Sequence, residues 1–203
     1  MGSTFCSVHV MNSTITLVLN GLGGCQSSNK YRIDVNKKLD EIKNYSNDVG
    51  KILKLITSFE TKTATFYTVE NNGIISTVSE YFDFSTIKEE VQDWFEYRDE
   101  YLLVVNCFDG DVLELSLLKE GNCLTSYVTG CADNYGLTTV KFDANIISEV
   151  FGVTPYEIEQ AYNDDPVEAL DNFTSLFKLP LKLAVLDLID SKEPNVYKTT
   201  FIL

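Results

Sequence analysis

The chain has 203 residues, of which 44% are hydrophobic and 12% aromatic, a composition typical of a folded domain rather than an intrinsically disordered chain. Its length fits a single domain over residues 1–203 with a core of its own, and no apolar run approaches the roughly 18 residues of a membrane-spanning helix. The formal net charge of −14 argues against binding to nucleic acid or to an anionic membrane, because an acidic surface repels phosphate.

The acidic residues are concentrated in the second part of the chain. Residues 1–79 carry a net charge of +2 and residues 80–203 a net charge of −16, which together give the −14 of the whole chain. The segment 142–177 contains eight acidic residues and no Lys, Arg or His. A surface of this kind attracts cations or a basic protein, although the same charge also serves solubility.

The five cysteines are an odd number and form no CxxC pair, so they indicate neither a disulfide framework nor a zinc-finger site. A reducing cytoplasm is therefore the predicted compartment. The segment "LGGC" at 22–25 resembles a bacterial lipobox, but the first 24 residues contain no Lys or Arg and the preceding apolar run is short. We accordingly predict that Cys25 lies in a loop and is not lipidated.

The first elements in chain order are two strands and two helices. Residues 4–10 and 14–19 alternate in polarity, which predicts a hairpin joined at 12–13. Apolar residues at helical spacing, preceded by polar capping residues, predict helices over about 34–45 and 46–59.

A second hairpin and a capped helix follow. The dipeptide Asn72-Gly73 accommodates the positive φ angles of a tight turn, so the apolar segments on either side of it predict a hairpin. The pattern Thr86-x-x-Glu89 is a capping box and predicts a helix over about 86–98. The polar side of this helix carries four acids, Glu89, Glu90, Asp93 and Glu96.

Three strands at 101–108, 111–118 and 123–130 predict an antiparallel meander. A two-residue turn at Asp109-Gly110 would align Phe108 with Asp111. This register predicts one apolar and one mixed face, and hence a sheet that is covered by helices on one side and partly open on the other. The predicted apolar face contains Leu102, Val104, Leu113, Leu115 and Leu117, and the mixed face Glu114, Ser116, Thr125 and Tyr127.

The last third of the chain is predicted to be mainly helical. Thr154-Pro155-x-Glu157 and Asp165-Pro166-x-Glu168 each combine an N-cap, a proline at the first helical position and an acid two residues later. Residues 179–190 fit either a strand or a helix, and "VYKTTFIL" at 196–203 fits a final strand. Together the elements predict an α+β fold, in which an antiparallel sheet of hairpins and the meander at about 101–130 packs with helices.

Three aspartates of the meander are the candidate metal ligands. In the predicted register the third strand returns towards the first turn, which brings Asp109, Asp111 and Asp133 to one end of the sheet. Carboxylates on loops are typical ligands of Ca²⁺ or Mg²⁺, so a metal-dependent enzyme is one alternative. An Asp-Gly turn explains two of the three residues without a metal, and the spacing of an EF-hand is absent.

No nucleophile–base arrangement or cofactor motif stands out. The single histidine, His9, lies within the first strand, where packing against its neighbours is the simpler interpretation. The segment "NGLGG" at 20–24 lacks both the Lys-Ser/Thr of a P-loop and the glycine spacing of a dinucleotide fingerprint. We therefore predict a protein without a cofactor and with a binding rather than a catalytic role.

The acidic surface leads to the preferred prediction of function. We expect a cytosolic binding protein, such as a bacterial immunity-type inhibitor, whose negative charge speeds association with a basic protein partner. An oligomeric module that pairs through an edge strand such as 197–203 is a further alternative. The candidate contact residues are Glu89, Glu90, Asp93 and Glu96 on one helix and Asp164, Asp165 and Glu168 at the start of another.

Overall fold

The computed structural model describes residues 4–14, 18, 63–71, 73–79, 82, 87–88, 91, 99–189 and 195–202. The strands are β1 (Phe5–Met11), β2 (Thr63–Asn71), β3 (Ile74–Ser79), β4 (Tyr101–Phe108), β5 (Val112–Lys119), β6 (Asn122–Gly130) and β7 (Val196–Ile202). The α-helices with defined bounds are α1 (Ala144–Phe151), α2 (Pro155–Ala161), α3 (Pro166–Phe177) and the short α4 (Val185–Leu188), and a 3₁₀ helix spans Ala132–Tyr135.

The seven strands form one antiparallel sheet in the order β6-β5-β4-β1-β3-β2-β7. The hairpin β2–β3 pairs Asn71 with Ile74 and places Gly73 at a φ of 77°, as its Asn-Gly turn predicts. Strands β4–β6 form the predicted meander, and α3 packs against β5. The predicted α+β class is therefore confirmed.

The turn between β4 and β5 differs from the prediction by one residue. Asp109 and Gly110 have φ values of 54° and 74°, and the N–H of Asp111 donates to the carbonyl of Phe108 at 2.9 Å, so the tight turn itself is present. Phe108 nevertheless pairs with Val112, which leaves Asp111 as an extra residue between the strands. Because side chains alternate along a strand, a shift of one residue exchanges the faces of one strand relative to the other.

The predicted division into an apolar and a mixed face is consequently wrong. Leu113, Leu115 and Leu117 share a face with the β4 residues Leu103, Val105 and Cys107, and this helix face is the one that α1–α3 cover. Leu102 and Val104 lie on the opposite face together with Glu114 and Ser116. Thr125 and Tyr127 pair with Leu117 and Leu115 and therefore belong to the helix face.

Both faces of the central strands are covered, so the expectation of a partly open sheet is also wrong. All seven residues of β1 are buried, and so are the six inner residues of β4. On the opposite face, the core includes Val18, Phe82, Ile87 and Val91, which pack with residues of β1, β3 and β4. The sheet therefore lies between two apolar layers.

Residue Val18 contradicts the predicted second strand at 14–19. It is helical, its N–H donates to the carbonyl of Thr14 at 3.0 Å, and its side chain is buried. Strand β1 has no free edge for a hairpin partner there, because β3 and β4 occupy its two sides. A short apolar run such as 15–19 does not distinguish strand from helix by its pattern alone.

The two predicted helix starts in the last third are confirmed. Glu157 N–H donates to Thr154 Oγ1 at 3.2 Å while Thr154 N–H donates to the Glu157 carboxylate at 2.7 Å, a complete capping box. Asp165 caps α3 by accepting from the N–H groups of its first turn at 2.9 and 3.0 Å. Burial of Ile158, Ala161, Ala169, Leu170, Phe173 and Phe177 fixes these helices on the sheet.

Candidate binding site in the acidic helical layer

The helices α1–α3 present the acid-rich segment 142–177 to solvent. All eight acidic residues of the segment are exposed, and we call this set the acidic layer. The layer includes the predicted contact residues of the last third. Its members are Asp143, Glu149, Glu157, Glu159, Asp164, Asp165, Glu168 and Asp171.

Four members of the acidic layer have a role in local structure. Asp143 and Asp165 accept hydrogen bonds from backbone N–H groups in the first turns of α1 and α3. Glu157 completes the capping box, and its hydrogen bonds with Thr154 hold the pKa of the Glu157 carboxyl below its usual value. Glu168, in the first turn of α3, accepts from the side-chain amide of Asn163 at 2.7 Å. Helix stability thus explains these acids in part, because anionic groups at a helix N-terminus are favourable.

The other four acids have no capping role. Glu149, Asp164 and Asp171 accept no side-chain hydrogen bond and form no ion pair with a described residue, and Glu159 makes one exposed ion pair, with Lys141. Nearby on α2, the side chain of Tyr156 is 73% exposed. Hydrogen bonds that begin helices therefore do not account for these four acids.

A cleft of about 460 Å³ lies between the acidic layer and the edge strand β6. Lys141 lies at this cleft, with its Nζ 3.3 Å from Glu159 Oε2 and 4.5 Å from the ring centroid of Tyr162. The Lys141 and Glu159 side chains are 62% and 55% exposed, so water screens their attraction and the pair contributes at most about 1 kcal/mol. Asp164 lines the same cleft and supplies a second carboxylate.

Hydrogen bonds fix the wall of the cleft. The Tyr127 hydroxyl donates to the Asn163 carbonyl at 2.6 Å, and the Asn163 N–H donates back to the same hydroxyl at 3.2 Å. Thr129 Oγ1 also donates to the Asn163 carbonyl, at 2.9 Å. The rings of Tyr127 and Tyr162 stack with centroids 5.1 Å apart. The connection between α2 and α3 is therefore held against β6, and the aromatic wall of the cleft is preorganised.

Tyr162 presents a neutral ring to the cation. Burial, reinforced by the neighbouring Glu159 carboxylate, raises the pKa of Tyr162 to about 12, and its hydroxyl donates to the Phe142 carbonyl at 3.3 Å. The phenol therefore stays protonated near neutral pH, and its ring face attracts an ammonium or guanidinium group through its quadrupole. With Glu159, the ring forms a site suited to one cationic side chain.

The three aspartates of the meander, which the sequence suggests as metal ligands, lie at one end of the sheet. Asp109, Asp111 and Asp133 are all exposed. Across the described parts of the chain, no group of three or more His, Cys, Asp or Glu side chains is placed to hold a metal ion. Asp111 is at the limit of hydrogen-bond distance from the Tyr135 hydroxyl, 3.5 Å. The metal-dependent enzyme stays a prediction that no contact supports.

Gly130 joins this corner of the meander to the acidic layer. Its φ is +86°, and a Cβ at this position would collide with the Asp111 carbonyl and with the ring of Pro166, the first residue of α3. Cys131 N–H donates to the same Asp111 carbonyl at 2.8 Å. The two sets of acids that the sequence suggests separately are thus neighbours, and both add to the negative potential at this end of the molecule.

The predicted contact residues Glu89, Glu90, Asp93 and Glu96 lie outside the described residues, and their role stays a prediction. Cys25 also lies outside the described residues, and its predicted position in a loop stays a prediction. The other four cysteines are free thiols, buried at Cys6 and Cys107 and exposed at Cys123 and Cys131.

A buried ion pair lies on the opposite face, where the sequence predicts an open, mixed surface. Glu114, with a side chain 8% exposed, accepts from Lys88 Nζ at 3.0 Å, Asn106 Nδ2 at 3.2 Å and Ser116 Oγ at 3.1 Å. Because its two oxygens accept three donors, this carboxylate is a satisfied structural group. No local motif marks Glu114 in the sequence, since its partners come from other segments of the chain.

His9 is fully buried in β1 and is a packed residue, as the sequence suggests. Its Nδ1 lies 2.8 Å from Ser76 Oγ and its Nε2 lies 2.9 Å from Ser7 Oγ. Ser7 Oγ in turn donates to the Leu181 carbonyl at 3.3 Å. Since burial lowers the pKa of His9 to about 3, the ring is neutral, and one consistent arrangement follows: Ser76 donates to Nδ1, and Nε2–H donates to Ser7.

Comparisons of the chain with protein-family models, curated proteins and solved structures give no match. Within the described residues, no helix combines the length and the apolar character needed to cross a membrane. The functional assignment therefore depends on the acidic layer and its cleft.

Sequence reasoning identified Asp164 and the acid-rich segment but missed the cleft. The signal that comes nearest to it is Lys141, the last basic residue before the acid-only segment 142–177. Its contact with Tyr162 and Glu159 depends on how α2 is placed against β6, which no local pattern encodes.

Proposed function

We propose that the protein is a cytosolic acidic binding protein that docks a basic protein on α1–α3. The observation that carries this proposal is the position of Lys141, whose ammonium group lies between a carboxylate and an aromatic ring at a preorganised cleft. The acidic layer holds a cationic side chain of its own chain there, and this contact supports the proposal that a partner's Lys or Arg binds in the same way.

A partner side chain can replace Lys141 at little cost. The Lys141–Glu159 pair is exposed and therefore weak. An arginine entering the cleft would form a bidentate pair with Glu159, stack on Tyr162 and approach Asp164, and guanidinium groups favour both kinds of contact. Loss of the internal pair is then offset by stronger contacts with the partner.

The rest of the acidic layer supports association over longer range. Exposed carboxylates raise the encounter rate with a positively charged surface, and this effect decreases with salt. Tyr156, 73% exposed on α2, supplies an aromatic anchor within the same surface. An immunity-type inhibitor that masks a cationic protein has this combination of features.

The first test is capture of a partner at low salt, followed by titration of the isolated complex. The tagged protein is incubated with a lysate of its own organism, and bound proteins are eluted with increasing NaCl. We expect a specific basic protein that elutes with salt. Its association rate with the purified chain should then fall as the NaCl concentration rises from about 50 to 200 mM, because exposed charges are screened over roughly 10 Å.

Two triple variants of equal net charge separate a specific surface from general acidity. Glu149→Gln/Glu159→Gln/Asp164→Asn neutralises acids of the layer that are not caps. Glu70→Gln/Asp99→Asn/Glu120→Gln neutralises exposed acids outside α1–α3. We expect the first variant to lose most of the salt-dependent binding and the second to retain it. Equal loss in both variants would show that the acidity serves solubility alone.

Substitutions at Lys141 and Tyr162 test whether the cleft binds a cationic side chain of the partner. Lys141→Gln removes the internal cation and should strengthen partner binding, because the partner no longer competes with Lys141 for Glu159 and Tyr162. Tyr162→Leu removes the aromatic ring and should weaken binding in either background. If Lys141→Gln weakens binding instead, Lys141 contacts the partner directly and the cleft does not receive a partner cation.

A further inference from the structure

Strand β7 is an edge of the sheet that the described strands form. It pairs with β2 along its whole length, from Thr63 opposite Ile202 to Val69 opposite Val196, and no described strand lies on its other side. The other edge strand, β6, is partly closed by Val140, which exchanges two backbone hydrogen bonds with Val128 at 2.8 and 3.2 Å. On β7, Tyr197, Lys198 and Thr200 are exposed.

The sequence of β7 offers little protection against pairing with another strand. Its seven residues, "VYKTTFI", include no Gly or Pro, and six of them are β-branched or aromatic types that favour strands. Lys198 is the single charged residue. Proteins usually guard an exposed edge with several charges, a proline, a bulge or a covering segment.

The strand also matches itself in the antiparallel direction. Residues directly opposite in an antiparallel pair have the same hydrogen-bonding role and lie on the same face of the sheet. A two-fold axis between two copies of β7 must therefore pass midway between the two copies of one residue, which we call an axis at that residue. An axis at Thr199 pairs all seven positions, whereas an axis at Lys198 would place two lysines opposite each other. The register centred on Thr199 pairs residues of like type at four positions, Val196 with Ile202 and Tyr197 with Phe201, and places Lys198 opposite Thr200.

We propose that two copies of this chain associate through β7 in this register, so that the two sheets form one continuous antiparallel sheet. The distribution of charge favours a second copy as the occupant. The cleft of the acidic layer lies at β6, the far edge of the sheet, and six strand spacings of about 4.8 Å place β6 roughly 29 Å from β7. Association through β7 therefore keeps the two acidic layers at opposite ends of the dimer, where their repulsion is screened.

The interface is narrow, which sets the expected affinity. One strand pair buries less surface than the roughly 1,000 Å² of a stable protein–protein interface, so the dimer should be weak and concentration-dependent. Sedimentation of the full chain at physiological salt should show a mass that rises from one chain to two between roughly 1 µM and 1 mM.

Opposite charges at Thr200 test the register. In the proposed dimer each Thr200 faces Lys198 of the second copy, twice per interface. Thr200→Glu creates two ion pairs and should tighten the dimer by roughly three- to tenfold, and Thr200→Lys should weaken it by a similar factor. Both variants lose the same 3.1 Å contact between the Thr200 and Thr65 hydroxyls, so they are matched in that loss. Urea unfolding of each variant as a monomer measures the effect of the new charge beside the chain's own Lys198.

General electrostatics predicts the reverse order, because adding a negative charge to a chain of net charge −14 increases repulsion between copies. A tighter dimer for Thr200→Glu and a weaker one for Thr200→Lys therefore supports the β7 register specifically. The proposal would be overturned if the two variants shift the dimer dissociation constant in the reverse order or by the same factor. It would also be overturned if the parent chain sediments as a monomer at every concentration up to about 1 mM. This test does not involve the acidic layer, so its outcome is independent of the proposed partner.

Discussion

At the scale of single residues, the hydrogen-bond chain through His9 connects three segments that are far apart in sequence. Ser76 belongs to β3, His9 and Ser7 to β1, and the final acceptor is the carbonyl of Leu181, in the segment before α4. Each hydroxyl and ring nitrogen has at least one partner, so the buried polar groups are satisfied. The neutral ring is a condition for this arrangement, because an imidazolium would have to donate from both nitrogens.

Stability should therefore fall as the solution is acidified. The pKa of His9 is about 3 in the folded chain and about 6.5 in the unfolded chain, so the unfolded state takes up a proton first. The contribution is fully present above pH 6.5 and is lost progressively between pH 6.5 and 3. At pH 5 the loss should be about 2 kcal/mol. Urea unfolding at pH 7 and pH 5 measures it.

The control for this prediction is His9→Gln, which keeps a donor and an acceptor but does not titrate. His9 is the only histidine in the chain, so few other side chains change charge between pH 7 and 5. We expect the free energy of unfolding to depend on pH much less in the variant than in the parent chain. Parallel pH dependence in the two proteins would contradict a buried neutral His9.

At the scale of the elements, the acids of the last third divide into those that begin helices and those that do not. Asp165→Ala should destabilise the protein by about 1 kcal/mol, because two backbone N–H groups of α3 lose their acceptor. Asp165→Ser removes the charge but retains a capping oxygen, so it should leave most of the stability. Asp164→Ala at the adjacent exposed position should change stability by less than about 0.5 kcal/mol. Thermal or urea unfolding of the three variants distinguishes these roles, and equal destabilisation by Asp164→Ala and Asp165→Ala would contradict the division.

The same helices show which parts of the fold a sequence encodes locally. Thr154 and Asp165 begin α2 and α3 as predicted, because an N-cap, a proline and an acid act within four consecutive residues. The Asp-Gly turn after β4 was also predicted. The prediction did not include Asp111 in the connection, and this additional residue shifts the pairing of β5 with β4 by one position. Packing on both faces of the sheet decides the register, and a shift of one residue moves every side chain of a strand to the opposite face.

The cleft, like the register, depends on contacts between distant segments that local sequence patterns do not encode. Asp164 belonged to the predicted contact set, but no sequence pattern indicated that Lys141 and Glu159 would meet. Their contact requires the connection from α2 to α3 to lie on β6, where Tyr127 and Thr129 hold the Asn163 carbonyl. Those partners are more than 30 positions apart in sequence. Charge patterning predicts the kind of partner, and only the tertiary structure provides a place for it.

At the scale of the whole molecule, the two proposed surfaces lie at opposite ends of one sheet. The edge beside β6 holds the cleft and the acidic layer, and the edge at β7 carries one lysine and no acid. If both proposals hold, this separation allows a strongly acidic chain to associate with itself while its charge remains available to a partner. A dimer through β7 would present two identical acidic layers facing away from each other.

The two surfaces should therefore act independently. The separation of roughly 29 Å is several times the screening length of about 8 Å at physiological salt, so charges at one edge have little effect at the other. We expect Glu149→Gln/Glu159→Gln/Asp164→Asn to leave the dimer dissociation constant unchanged within about twofold, and Thr200→Lys to leave partner binding per chain unchanged, since distant sites are additive. Sedimentation of the first variant and titration of the second measure these quantities. A dimer that tightens substantially in the acid-neutralised variant would show that the acidic layers approach each other on association, which a continuous sheet through β7 does not allow.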